Sequence, residues 1–414
     1  MELRNWGGNY RYRARALHRP ATLPELQRLV VSCRRLRAVG SRHSFSAISD
    51  GDELVSLDDL PGEVRIDRDG GTVSVPAQLR YGQLADRLAA EGLALANLAS
   101  LPHISVSGAI ATATHGSGVA NGNLATAVAG LELVRCDGEI VWLRRGDPDF
   151  DAAVVALGAL GVVTRVVLDV QPAYEISQYV YEGLAWDALF EHFDAVFSAA
   201  YSVSVFLGWG ERIDQVWLKR RGTDPPAPEA LFGATRAPAD RHPIASLDPV
   251  NCTPQLGRPG PWMDRLPHFR MGFTPSSGQE IQSEYHLPRE RAVEAIAALR
   301  DIRASMQPLI QVSEVRTIAA DALWLSPQYH RDTIAIHFTW APDQAAVERA
   351  LARIEAVLIP LGARPHWGKL FLTPAASLAT GYDRLADFAA LVQQYDPTGK
   401  FDNPWLRTHV LGTN

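Results

Sequence analysis

The chain has 414 residues, 47% hydrophobic and 21% charged, a balance that excludes disorder and fibrous repeats and calls for two globular domains, with room for a third. A net charge of −6 and a pI near 6.1 exclude the basic surface by which proteins displace counterions from nucleic acid. Three cysteines, an odd number without CxxC spacing, exclude a disulfide framework and a cysteine-rich zinc site, and fit a reducing cytoplasm.

In chain order, the N-terminal "MELRNWGGNYRYRARALHRP" lacks an apolar core of signal-peptide length, and the apolar stretch at 152–163 is too short to cross a bilayer. A soluble, unexported protein with no membrane partner is expected. Thr22 and Pro24 suit a helix start, and Leu26, Leu29, Val30 and Cys33 recur at helical spacing. "LRAVG", "ELVSL", "GEVRID" and "GTVSVPA" read as short strands bounded by Gly, Asp or Pro. "YGQLADRLAAEGLALA" reads as a helix ended by Gly92. "LELVRCDGEIVWL" at 131–143 predicts a hairpin turning at Asp137-Gly138, a pair that tolerates positive φ.

"GVVTRVVLDVQP" adds a strand ending at Pro172, where a domain boundary is placed. The Pro- and Gly-rich region from about 222 to 262 reads as a long surface excursion. "RAVEAIAALRDIRASM" and "DQAAVERALARIEAVLIPL" predict helices and "DTIAIHFTW" a strand, as in an antiparallel sheet with a helical layer. The tail "ADFAALVQQYDPTGKFDNPW" predicts a helix followed by a turn.

Two stretches carry the chemistry. "GSRHSF" at 40–45 packs glycine, hydroxyls, an arginine and a histidine into one loop. "LPHISVSGAIATATHGSG" at 101–118 is dominated by small residues, so its backbone N–H groups and hydroxyls can approach a bulky anion such as a pyrophosphate. Neither has the GxGxxG spacing of a dinucleotide fold. On composition alone, each reads equally as a tight loop with incidental small residues. His103 and His115 match no metal-ligand spacing, and no metal is expected.

Together the two stretches resemble the FAD-binding domain of the vanillyl-alcohol-oxidase, PCMH-type, flavoproteins. Within that family the similarity to the alditol and xylitol oxidases runs through nearly the whole chain. It is carried by "NWGGN", "ALGALGVVT", "VWLKRR", "VNCT", "LPHFRMGFTPSSG", "QSEYHLPRE", "SEVRT", "HFTW", "RPHWGK" and "DPTGKF". The resemblance implies FAD attached covalently through His43, with Gly40, Ser41, Arg42, Ser44 and Phe45 in the first loop. It adds Ser100, Ser105, Gly108, Thr112, Ala113, Thr114 and His115 in the second, and Val162 and His366 elsewhere, as cofactor contacts.

The substrate side has a physical pattern of its own. Glu314 and Arg316 are two apart, as are His337 and Thr339, so on strands each pair shares a face. Such a face suits a ligand covered in hydroxyls, although a solvated strand face with an ion pair would read the same way. Lys369, in the loop "RPHWGKLF", adds a mobile cation. The resemblance assigns Ser100, Glu314, Arg316, Thr339 and Lys369 to a polyol, and it makes Ala99 the small residue that admits oxygen. Arg316, Lys369 and His337 become the catalytic candidates, with His337 suited by its intrinsic pKa to accept a proton.

The fold implied is α+β, with an FAD domain over 1–172, a substrate domain over 173–363, and a segment over 364–414 returning to the FAD domain. The implied activity is FAD-dependent oxidation of an alditol's terminal hydroxyl to the aldose, with hydride transfer to flavin N5 and reoxidation by O2 to H2O2, in a monomer. A sugar-lactone oxidase, a polyol dehydrogenase and a non-catalytic flavin carrier are the alternatives.

Overall fold

The computed structural model describes residues 3–272 and 280–412. The last six residues of the block "LPHFRMGFTPSSG", 273–278, therefore lie outside the described residues.

The first part of the chain builds two small sheets. Strands Ala16–His18, Glu53–Val55 and Arg37–Ala38 pair in parallel. Beside them is an antiparallel sheet of five, ordered Arg65–Asp67, Thr72–Pro76, Val162–Asp169, Val128–Val134 and Ile140–Arg144. The predicted hairpin is its last pair, with Gly138 at φ 84°, where a side chain would be strained. Helix Leu23–Ser32 starts as its sequence dictates. Thr22 Oγ1 accepts from the Glu25 amide, Pro24 occupies the first turn, and Leu26 and Val30 are buried. Helix Tyr81–Ala90 is followed by Gly92 at φ 69°.

The chain changes sheets between Asp169 and Glu175. The remainder forms a ten-stranded antiparallel sheet. Its centre is the run Gln215–Arg221, Ser202–Leu207, Ile310–Ile318, Thr333–Trp340 and Ile281–Pro288. Helices Ala292–Asp301 and Gln344–Leu358 pack against each other and on strand Ile281–Pro288. There Tyr285 Oη donates to Glu355 Oε1 at 2.7 Å. Because strand side chains alternate, Gln282, Glu284 and His286 point to the opposite face.

The region 222–262 runs largely over the surface, as expected, but three short pieces of it join the sheet. Ala230–Leu231, Ala234–Arg236 and Pro259–Pro261 extend the big sheet beside Glu175–Glu182. An exposed strand edge offers unpaired backbone groups, and proline is tolerated on short edge pieces, so this Pro-rich segment closes the edge. It also carries buried residues inward, among them His242, Thr253, Gln255 and Trp262.

The tail ties both parts together. Arg364–Pro365 pairs with Ile281–Pro288, while Lys400 O accepts from the Leu36 amide at 2.8 Å, and Asn403 Nδ2 donates to the Asp50 carbonyl at 2.7 Å. Arg37, buried and absent from the sequence reading, donates to the carbonyls of Ile48, Leu157, Gly158 and Phe401 at 2.7–2.8 Å. One guanidinium thus fixes three loops against each other.

Candidate active site

The two small-residue stretches meet. The Ser105 amide donates to Ser41 Oγ at 3.0 Å, and a Cβ added to Gly40 would lie 2.4 Å from Ser105 Oγ. Only glycine allows this approach. Ser105 opens the short helix Val106–Ala111, and its hydroxyl is buried with no hydrogen-bond partner. Arg42 takes φ 59°, turning the chain so that His43 stacks on Trp6, with ring centroids 5.2 Å apart. Both ring nitrogens of His43 are buried and unpartnered, and burial, with Lys369 nearby, pushes its pKa down to about 3. A buried imidazole without partners is unfavourable unless something else engages it.

A cavity of about 300 Å³ runs along this junction. Gly40, Ser41, Arg42, His43, Ser44 and Phe45 line it, as do Ser100, Ser105, Gly108, Thr112, Thr114, His115 and His366. Ala99, Glu314, Arg316, His337, Thr339 and Lys369 lie on its wall too. Two expected cofactor contacts do not. Val162 points from its strand into the small core with Leu26 and Val30, leaving Gly161 and Val163 on the wall. Ala113, at φ 53°, faces the main core, between Thr112 and Thr114 on the wall. The reason is strand and turn alternation, which a stretch of small residues does not display.

The charged face follows from strand register. Glu314 lies opposite His337, Val312 opposite Thr339, and Arg316 opposite Ala335. The third strand was missed: Glu284 lies opposite His337 on its other side, and Gln282 opposite Thr339. Its signal is the alternation Gln282, Glu284, His286, which marks one polar face as clearly as Glu314 and Arg316 do.

Within the wall the groups are paired. Arg316 donates from Nε to Glu314 Oε1 and from Nη2 to Glu314 Oε2, both at 2.6 Å, and Nη2 also reaches Ser100 Oγ. His268 Nε2 lies 2.8 Å from Glu314 Oε1. Burial alone would raise the Glu314 carboxyl, but Arg316 and His268 hold it well below the usual range. Glu284 is held down in the same way by His115, whose Nε2 is 2.7 Å from Glu284 Oε1. Lys369 is not mobile. Its ammonium donates to Gln282 Oε1, which also accepts from His337 Nε2 at 3.2 Å.

His115, Glu284 and His286 bring ligand-type atoms within 4.8 Å of one another. His286 Nδ1 accepts from Gln328 Nε2 at 2.8 Å, which puts the ring proton on Nε2, and His115 Nε2 already faces Glu284. His286 Nε2 is itself buried without a hydrogen-bond partner. His103 Nε2 lies 2.7 Å from the Met271 carbonyl.

Burial lowers the pKa of His268 and His366 to about 3 and of His337 to about 4. An unfolded histidine titrates near 6.5. Between these values the unfolded chain binds more protons, so stability is full above pH 6.5 and is lost as pH falls toward 4. Roughly 1–2 kcal/mol per ring is expected to disappear between pH 7 and pH 5. The urea midpoint should therefore be clearly lower at pH 5. Equal midpoints would show that these rings take up protons in the native state.

The comparisons with known proteins agree with this geometry. A family model for an FAD binding domain matches residues 14–144, and a D-arabinono-1,4-lactone oxidase model matches 275–409. A Streptomyces alditol oxidase is 49% identical over 413 residues, covering 99% of each chain. An L-gulono-1,4-lactone dehydrogenase of Mycobacterium tuberculosis is 30% identical over 99% of this chain and 98% of its own. In fold, cholesterol oxidase from Brevibacterium sterolicum superimposes with a TM-score of 0.80 at 14% identity, covering 99% of this chain and 96% of that one. The unpartnered His43 and Ser105 and the glycine approach at Gly40 fit a flavin dinucleotide lying between the two stretches. The chain belongs to the PCMH-type, vanillyl-alcohol-oxidase family of FAD-dependent oxidoreductases.

Proposed function

We propose that this protein oxidises the terminal hydroxyl of alditols of the xylitol and sorbitol type to the aldose, with O2 as acceptor and H2O2 as product. The observation that carries this reading is the polar wall around one cavity, buried at Glu314, Arg316 and Thr339 and half-buried at Lys369 and Ser100. A chain of hydroxyls supplies both donors and acceptors to such a wall, whereas an apolar substrate would leave its charges unmatched. The 49% identity to an enzyme named alditol oxidase supports it.

FAD, tethered at His43, supplies two-electron acceptance and the reaction with O2 when bound. The protein's part is placement and charge. Glu314 accepts from substrate hydroxyls, and Ser100 and Thr339 orient the chain. Arg316 and Lys369 stabilise negative charge developing on the reacting oxygen. His337 is neutral at pH 7 and donates from Nε2 to Gln282, which leaves Nδ1 as the acceptor for the alcohol proton. Ala99 keeps the wall beside Ser100 low, as oxygen access requires. The FAD domain spans about 1–172, the substrate domain about 173–363, and the segment from 364 returns to the FAD domain. One chain supplies every wall residue, which suits a monomer. Its free cysteines Cys33, Cys136 and Cys252 suit a reducing cytoplasm.

A sugar lactone is the second reading, favoured by the lactone-oxidase model over 275–409 and by the 30% identical lactone dehydrogenase. Anaerobic addition of xylitol, sorbitol or L-gulono-1,4-lactone to the yellow protein separates the readings. Loss of the visible band with the alditols, and equimolar H2O2 once air is admitted, is expected. Bleaching by the lactone alone would make it a lactone enzyme, bleaching without peroxide a dehydrogenase, and no bleaching a flavin carrier.

A further inference from the structure

Behind the Glu314–Arg316 pair lies a second layer of polar groups. Lys219, on strand Gln215–Arg221, is 1% exposed. Its Nζ contacts the carbonyls of Leu266 and, at 3.2 Å, Pro267, and lies 3.1 Å from His268 Nδ1. The Glu314 carboxylate can only accept, so the proton it shares with His268 sits on the imidazole Nε2. Nδ1 then accepts from Lys219 Nζ, a demand that favours the ammonium against the burial that pulls Lys219 well below the usual lysine range.

That proton faces Glu314 Oε1 at 2.8 Å. The nearby Arg316 Nη2, 2.9 Å from His268 Nε2, does not compete for it. Its two protons are already spent on Glu314 Oε2 and Ser100 Oγ. Oε1 of Glu314 thus receives two donors, Arg316 Nε and His268 Nε2, while Oε2 receives one. An acceptor site on Oε2 remains for a hydroxyl.

We infer that Lys219 and His268 are positioning residues: Lys219 fixes the tautomer of His268, and His268 Nε2–H anchors Glu314 Oε1 so that Oε2 is presented to a substrate hydroxyl. Burial, reinforced by Lys219, lowers His268 to about 3, which keeps it the neutral single donor this arrangement needs. Lys219 does not line the cavity, and His268, which lies on its wall, has Nδ1 engaged by Lys219 and Nε2 by Glu314. Both act through Glu314, across a sheet whose strands Gln215–Arg221, Ser202–Leu207 and Ile310–Ile318 are paired in register.

The inference rests on the alditol reading, and its test keeps the two apart. Steady-state kinetics with xylitol are measured on the flavin-loaded parent, Lys219→Met, His268→Gln and His268→Asn. Each change is also made in a Glu314→Ala background. Glutamine keeps an amide donor at the Nε2 position, whereas asparagine places its amide near Nδ1 and cannot reach Glu314. Loss of one charge-assisted hydrogen bond corresponds to about 10- to 100-fold, so Lys219→Met and His268→Asn should lose that much kcat/KM, mainly through KM. His268→Gln should stay within about threefold of the parent.

With Glu314 already removed, the same substitutions should cost less than about twofold, because residues acting through one partner are not additive. Parental kinetics in Lys219→Met and His268→Asn, or an undiminished loss in the Glu314→Ala background, would overturn the inference. If Lys219→Met does not fold, the contrast between glutamine and asparagine at 268 decides. A parent that leaves alditols untouched condemns the alditol reading instead, and the same variants are then compared with the lactone.

Discussion

Glu314→Ala is expected to yield a yellow protein whose xylitol turnover is about 10³-fold below the parent, the equivalent of two charge-assisted hydrogen bonds. The carboxylate is 5% exposed and accepts from Arg316 Nε, Arg316 Nη2 and His268 Nε2. Removing it deletes the acceptor proposed for the substrate's hydroxyl. It also leaves Arg316 without the bidentate partner that aims its guanidinium, and the buried His268 N–H without an acceptor. The backbone survives, because strand Ile310–Ile318 is paired on both sides, with Ser202–Leu207 and Thr333–Trp340. The cofactor stretches at 40–45 and 101–118 are untouched, so the visible spectrum should match the parent. Peroxide production against xylitol concentration, read beside that spectrum, is the measurement. Near-parental turnover would remove Glu314 from the substrate site.

If His43 tethers the flavin, as proposed, yellow colour is expected to stay with the parent polypeptide after denaturation and acid precipitation, and His43→Ala is expected to release it. His43 is stacked on Trp6 with both nitrogens buried and unpartnered, a state that costs about 1–3 kcal/mol per unsatisfied group unless a partner is supplied. Its pKa, lowered to about 3 chiefly by burial, leaves the ring unprotonated at neutral pH, with a lone pair free to bond carbon. The variant keeps the Gly40–Ser105 approach and should still bind FAD reversibly. It should therefore lose colour on dialysis against denaturant, while the parent does not. Colour released from the parent would reject the covalent tether and leave reversible FAD binding in place.

Local signals were read well where one segment decides its own conformation. The Thr22–Pro24 helix start, the Asp137-Gly138 hairpin and the polar alternation of Glu314 with Arg316 each depend on contacts a few residues apart. Pro and Gly between 222 and 262 suggested a loop because they break long strands. They do not forbid short edge strands, and the open edge of Glu175–Glu182 supplied the partner. Val162 belonged to a similar block, "ALGALGVVT", but alternation turned its side chain into the core. Lys369 looked mobile in its loop, yet Gln282, from a strand 87 positions away, holds its ammonium.

By itself the sequence determined the α+β class and the facing pairs on two strands, each encoded in residue type and spacing within a short window, and its resemblance over nearly the whole chain determined the family. Only the tertiary structure decided that Ser41 meets Ser105, that Glu284 flanks His337 from a third strand, and that Lys219 stands behind His268 and Glu314. These partners lie 46 to 64 residues apart. Their juxtaposition depends on sheet register and on the burial that makes each unpaired polar group seek a partner, and neither is written in any single stretch of chain.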